Sequence, residues 1–361
     1  WFRAGCMWLL DYRGVFSHTG LKLVKLAHDS QGRNVAKSYG NIYTLWFGRY
    51  PVVVLNGFQA VKDGLTTRPE DLAGRPLSPF FHAMANNKGL LLATGSTWRH
   101  QRKFTLVTLK SLGLGKTSLE YQIQEEAGHL VENFRNAKGR PMNPSFALTL
   151  AVSNVICAVV FGHRFSNDDK TFHHLLEAME CIFKFAGSIY HQIYDVFPWL
   201  MRRLPGPHKK TLASCEEVCS FIRKEIRSHQ DRGASDEPQD FIHSYLAQIE
   251  KIKDQPKPAY DERNMVQCIF DLFLGGTETS STTLYWALLY MVVYPDIQGK
   301  VQKEIDATVG PGHMICYEDR KNLPYTNAVI HEAQRFSNVV SIGVPRLCAK
   351  DTMIQEFFIK R

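Results

Sequence analysis

The stretch from Tyr260 to Tyr294 constrains this chain most, because it reads as one long helix with a cap at each end. Asp261 can cap its start and Pro295 closes its end. Apolar residues fall on every side of it: Val266, Ile269, Phe270, Leu272, Phe273, Leu284, Leu288 and Met291. A helix that is apolar all round must be surrounded by other elements, which predicts a place in the middle of a large protein. Its centre is interrupted by Gly275-Gly276-Thr277-Glu278-Thr279-Ser280. Adjacent glycines cost on the order of 1 kcal/mol each against Ala in a helix interior, so their presence there calls for a reason. The residues leave two reasons open. One is a packing notch for a crossing helix; the other is a groove where a ligand meets the backbone, with Glu278 and Thr279 supplying protons.

With 361 residues, 44% of them hydrophobic and 22% charged, the chain can bury such a helix. Helical periodicity recurs over 98–106, 118–137, 147–161, 169–185, 211–229 and 325–336. Asn41 to Leu55 reads instead as strands around a Gly-Arg-Tyr-Pro turn. The polar stretches 231–240 and 251–258 read as surface loops, and no internal repeat is present. These signals predict one large, mainly α domain over residues 1–361 with a small β part.

The net charge of +8 favours acidic partners or anionic membrane surfaces. Nucleic acid is disfavoured, since no basic run is interleaved with aromatics and no zinc-finger spacing or RNP-like strand is present. The eight cysteines are scattered with no CxxC pair, which fits a reducing compartment better than a disulfide framework, and no metal site is assigned. No apolar run reaches the roughly 18 to 20 residues that span a bilayer. Between Tyr194 and Lys210, Phe197, Pro198, Trp199, Leu200 and Met201 are flanked by Arg202, Arg203, Lys209 and Lys210. That pattern suits a membrane interface or a solvated loop folded over the core, and composition does not separate them.

Three short motifs add chemistry. Trp98 and Arg102 stand at i, i+4 on one helix, where indole N–H and guanidinium could grip a carboxylate. Glu332 and Arg335 stand at i, i+3, where a buried pair can form. Val344-Pro345-Arg346 follows an apolar extended stretch, Val339 to Ile342, and Pro345 there suggests an edge strand with Arg346 free to point into a site. Each motif alone is weak. WxxxR, GGxETS in a long buried helix, ExxR and PR, in that order, are specific. With Phe197-Pro-Trp, Leu204-Pro-Gly-Pro-His and Pro324-Tyr-Thr-Asn-Ala-Val-Ile-His-Glu beside them, the chain resembles a cytochrome P450 of the vertebrate microsomal family 2, of its J-like subfamily.

That resemblance implies the cytochrome P450 fold and a haem-thiolate monooxygenase that inserts one oxygen atom from O2 into lipophilic substrates. Haem b, with its iron, is the implied cofactor. Trp98 and Arg102 then resemble the helix pair on a haem propionate, with Arg346 on the other propionate and Arg75 assisting. Gly275 and Gly276 would let dioxygen sit against the helix, Thr279 would hydrogen-bond it or a water, and Glu278 would relay protons. Leu91, Leu92, Asp271, Leu272, Phe273, Leu274, Val340 and Val344 would line the substrate pocket, which points to fatty acids, steroids or xenobiotics. NADPH would act indirectly, through a flavin reductase docked on the basic surface at Arg99, Lys103 and Lys110. The implied location is the cytosolic face of the endoplasmic reticulum membrane.

The sequence departs from the family at both ends. The iron-ligand cysteine is expected in an FxxGxRxCxG loop beyond Arg361, and none of the eight cysteines sits in such a loop. Cys348 follows Arg346 on a probable strand and is a poor substitute. Trp1 to Tyr12 does not match the proline-rich entry that follows the family's membrane anchor. The expectation is a cytochrome P450 domain fragment, incomplete at the C-terminus. Its alternative is a non-catalytic product that binds lipophilic ligands or partners, or one that does not fold stably.

Overall fold

The computed structural model describes residues 6–9, 30–47, 50–76, 78–114, 117–233, 238–254, 259–310, 313–337, 339–340 and 344–361. In chain order the described elements begin with β1 (Cys6–Leu9), α1 (Ser30–Tyr39), β2 (Ile42–Phe47), β3 (Tyr50–Leu55), α2 (Phe58–Lys62) and α3 (Pro79–Ala85). Then follow α4 (Gly95–Ser111), α5 (Thr117–Asn136), α6 (Ser145–Phe161), α7 (Lys170–Ala186), α8 (Ile189–Val196), α9 (Pro198–Met201) and α10 (Pro207–Arg232). The chain closes with α11 (Phe241–Lys251), α12 (Glu262–Val293), α13 (Pro295–Thr308), α14 (Pro324–Phe336), β4 (Arg346–Leu347), β5 (Thr352–Ile354) and β6 (Phe357–Ile359).

The helix starts follow local chemistry. Asp169, Asp240 and Asp261 cap α7, α11 and α12, each accepting backbone N–H groups of the first turn. Ser78 caps α3 and is followed by Pro79 at the first helical position. The long helix runs almost as its caps predict, from Glu262 to Val293. It packs most extensively on α6, and also on α10, α13 and α14. One apolar core joins α6, α7, α10, α11 and the first half of α12 through residues such as Cys157, Phe161, Phe172, Ile222, Phe241, Ile269 and Phe270.

Uniform burial along α12 is not what the structure has. Asn264 to Asp271, Phe273, Leu274, Thr277 and Ser281 are buried, whereas Leu284 is 44% and Val292 75% exposed. α6 and α10 pack on this helix, as do α13 and α14, and α13 contributes no buried residue.

The β part is a sheet in the order β2-β3-β1-β4 plus a separate β5-β6 hairpin. β1 runs parallel to β3, pairing Cys6 with Val52 through Leu9 with Leu55, so part of the odd first dozen residues belongs to the sheet. β4 lies at the sheet's edge, antiparallel to β1, with Arg346 opposite Met7. A small second core under the sheet gathers Ile42, Leu55, Leu72, Cys348 and Ile359. Residues 341–342 of the expected extended stretch, and parts of both polar loops, lie outside the described residues.

Candidate functional site

The two central glycines of α12 do different things. A Cβ on Gly276 would sit 2.7 Å from Cδ1 of Ile156, so Gly276 is a notch into which α6 packs. Gly275 has nothing within 4 Å of its ideal Cβ position and is exposed, so it presents bare backbone. Thr279 turns its hydroxyl back onto the Gly275 carbonyl at 2.5 Å, an i, i−4 bond that shields part of that backbone. Glu278, next to it, faces a small cleft shared with Ser145, Thr149, Ser281, Thr282 and Tyr285. Burial raises its carboxyl above the usual range, and the neighbouring Glu180 adds to the rise.

The turn at 88–92 is pinned to α12. Asp271 accepts the N–H of Leu90 at 2.6 Å and of Leu91 at 2.8 Å on one oxygen, and Gln267 Nε2 at 3.0 Å on the other. Gly89 stands at φ +81°, and a Cβ there would collide with the Asp271 carboxylate and the Gln267 side chain, so only glycine fits. Burial pushes the Asp271 carboxyl up to about 6 despite these three donors. Asp271 therefore commits one oxygen to the turn's backbone and the other to Gln267. Gln267 and Gly89 escaped the sequence reading, although Asn86-Asn87 just before was a turn signal.

Beside this turn lies a cavity of about 350 Å³, lined among others by Arg75, Trp98, Arg99, Leu347, Cys348 and Arg361. Arg75 Nε donates to the Leu91 carbonyl at 2.8 Å, while its Nη1 is buried without a partner. Burial, with Arg346 close by, pulls the Arg75 guanidinium down to about 10. Burial lowers Arg346 as well, and its Nη1 reaches the Leu72 carbonyl at 3.3 Å. Gly74 brings this stretch against the β4 edge, because a Cβ there would be 2.7 Å from the Leu347 carbonyl oxygen. Two half-buried cations with a spare donor make a site for an anion. A carboxylate-bearing ligand such as haem fits these residues.

The remaining predicted residues are distributed as follows. Arg102 is exposed and lies 5.6 Å from the centroid of the Trp98 ring, a cation–π contact, outside the cavity lining. Leu92, Phe273 and Leu274 are buried and Leu91 and Leu272 half-buried, all in or against a core. Val344 is half-buried and Val340 is 50% exposed. Arg335 donates to Glu332 through Nε at 2.5 Å and through Nη2, but the side chains are 50% and 59% exposed. The ion pair forms as the i, i+3 spacing predicts, and among the described residues α14 presents it outward. Cys348 lines the cavity, yet its Sγ donates to the Lys350 carbonyl at 3.0 Å and burial raises its thiol, the reverse of what a metal-binding thiolate needs.

A mainly α body with a small sheet, a long helix that bares backbone at Gly275, and a separate cation-lined cavity at Arg75 and Trp98 are the arrangement of one haem-enzyme class. The cytochrome P450 family model matches residues 20–361, and the chain belongs to that family. It is 40% identical to cytochrome P450 2J2 of Homo sapiens over 325 residues, which is 90% of this chain and 65% of that protein. It is 39% identical to cytochrome P450 2J5 of Mus musculus, over 98% of this chain and 70% of the relative. With cytochrome P450 2H2 of Gallus gallus the identity is 40%, over 91% of this chain and 67% of the relative. The chain spans about two thirds of the length of these relatives.

Proposed function

We propose that this chain forms the oxygen-side and propionate-binding walls of a haem-thiolate monooxygenase acting on lipophilic substrates. The observation that carries the reading is Arg75, a half-buried guanidinium whose Nη1 is buried without a partner, in a cavity shared with Trp98 and next to Arg346. Haem b, when bound, supplies the iron at which dioxygen chemistry occurs. Arg75 and Arg346 would hold the propionates, with Trp98 donating its indole N–H and Arg102 extending the positive field from the surface. Gly275 would leave room for the group or its ligand against the helix backbone. Thr279 can release the Gly275 carbonyl and donate its hydroxyl proton toward that space. Glu278, its carboxyl raised by burial and by Glu180, would be the proton donor next to Thr279.

Leu91, Leu92, Leu272, Phe273, Leu274, Val340 and Val344 would form the substrate wall. The Asp271 oxygens are taken up by the Leu90 and Leu91 N–H groups and by Gln267, so the rest of the wall is apolar, as fatty acids, steroids and xenobiotics require. Arg99, Lys103 and Lys110 are exposed on α4 and offer a cationic face to an NADPH-dependent flavin reductase. α8 and α9 expose Val196, Phe197 and Trp199 above Arg202 and Arg203, which supports seating on the cytosolic face of the endoplasmic reticulum membrane. Among the described residues no helix is long and apolar enough to cross a membrane.

The test is haem loading followed by the reduced carbon monoxide difference spectrum, on this chain and on this chain extended by a family-type cysteine loop. The expected result is haem retention that weakens in Arg75→Met, and the red-shifted band of thiolate ligation once the loop is present. An extended chain that retains no haem, or retains it equally without Arg75, would overturn the reading.

A further inference from the structure

His229, Asp240 and His243 form a cluster on the far side of α10 that the monooxygenase reading leaves unused. The His229 side chain is 0% exposed, Asp240 3% and His243 17%. Asp240 Oδ2 lies 3.2 Å from His229 Nε2 and 2.6 Å from His243 Nδ1, and all three donor atoms lie within 4.8 Å of one another. The two rings approach at 4.7 Å between centroids.

Neutral rings do not satisfy this geometry. His229 Nδ1 is 2.7 Å from the Glu225 carbonyl oxygen and must donate there, which leaves only a lone pair on Nε2. That lone pair faces Asp240 Oδ2, which also offers only lone pairs. A cation has to sit between them, either a proton on Nε2 or a metal ion.

We propose that His229 Nε2, Asp240 Oδ2 and His243 Nδ1 bind one divalent transition-metal ion of the zinc type, with solvent in the fourth position. Two imidazole nitrogens and a carboxylate oxygen are a borderline donor set that suits zinc and not magnesium or calcium. Donors at zinc bond lengths in a tetrahedron lie about 3.3 Å apart, which the His229–Asp240 separation already matches. His243, partly exposed at the start of α11, can swing outward to complete the set and admit the ion. The His229 bond to the Glu225 carbonyl is the outer-shell contact that fixes a ligand's tautomer. Gly162, at φ +74°, keeps Oδ2 reachable, since a Cβ there would sit 2.7 Å from it. The ion would tie the end of α10 to the start of α11 and displace a proton from His229.

Zinc chloride in equilibrium dialysis, with magnesium chloride as control, tests this on the whole chain. The expected outcome is one zinc per chain, no magnesium, and an affinity that falls more than about tenfold in His243→Gln, because even outer-shell losses cost that much. X-ray absorption at the zinc edge should show nitrogen and oxygen neighbours with imidazole scattering. A sulfur shell from the free cysteines, unchanged uptake in folded His243→Gln, or no saturable uptake would each overturn the proposal. Should His243→Gln fail to fold, the absorption spectrum of the unaltered chain decides alone.

Discussion

The Asp271 carboxylate accepts the N–H of Leu91 at 2.8 Å, and the carbonyl of the same Leu91 accepts Arg75 Nε at 2.8 Å, so one peptide links the long helix to the cationic cavity. The link is sensitive to pH. The Asp271 carboxyl rises from 3.8 to about 6, so the folded state holds its proton more tightly than the unfolded one. Its contribution is complete below a pH of about 4, declines as pH rises, and is gone above about 6, a loss of about 3 kcal/mol. Asp240 and Asp261 are shifted downward and act with the opposite sign, so the difference from Asp271→Asn isolates the term. Urea midpoints across this window should show Asp271→Asn gaining relative stability as pH rises. Parallel curves would refute the assignment.

At Gly276 the expectation is steric. Gly276→Ala should destabilise the chain by about 1–3 kcal/mol, because the added methyl meets Ile156 Cδ1 in a packed helix crossing. Ile156→Val removes that atom and should recover part of the loss in the double variant. Gly275→Ala has open space and should leave stability equal or raise it by about 1 kcal/mol. Thermal unfolding of the four chains distinguishes a notch from a mere propensity effect.

Arg75→Met should act with opposite signs in two states. Without an anionic ligand it removes a half-buried guanidinium with an unpartnered donor, so stability should change by less than about 1 kcal/mol or increase. With haem present, the same change should weaken retention at least about tenfold, the value of one charge-assisted pair. Denaturant titration with and without haem reads both. Equal destabilisation in the two states would mean that Arg75 serves the fold alone.

Gln101 is fully buried and joins three elements: it accepts from Tyr245 Oη at 2.7 Å and Cys268 Sγ at 3.4 Å and donates to the Ala259 carbonyl at 2.8 Å. Burial raises the Tyr245 hydroxyl far above its usual range, so it stays a neutral donor. Gln101→Leu should cost about 2–4 kcal/mol by stranding that hydroxyl, and Tyr245→Phe only about 1–2. The double variant should be more stable than Gln101→Leu alone, as equilibrium unfolding would show.

What the sequence by itself determined is whatever depends on contiguous residues. Asp261 and Pro295 delimit the long helix, another helical stretch begins at Asp169, and the order of WxxxR, GGxETS, ExxR and PR identifies the family, because caps, periodicity and motif order are local properties. Only the tertiary structure decided what depends on which elements meet. Gly275 and Gly276 are indistinguishable in sequence, and a residue of α6 makes one a notch while leaving the other open. Asp271 reads as a pocket wall until the 88–92 turn takes one of its oxygens and Gln267 the other. The Glu332–Arg335 pair has the right spacing for burial, yet nothing among the described residues covers it. His229, Asp240 and His243 carry no motif spacing and converge because the end of α10 returns to the start of α11. Burial and desolvation belong to pairs of surfaces, and one strand of sequence encodes only half of each pair.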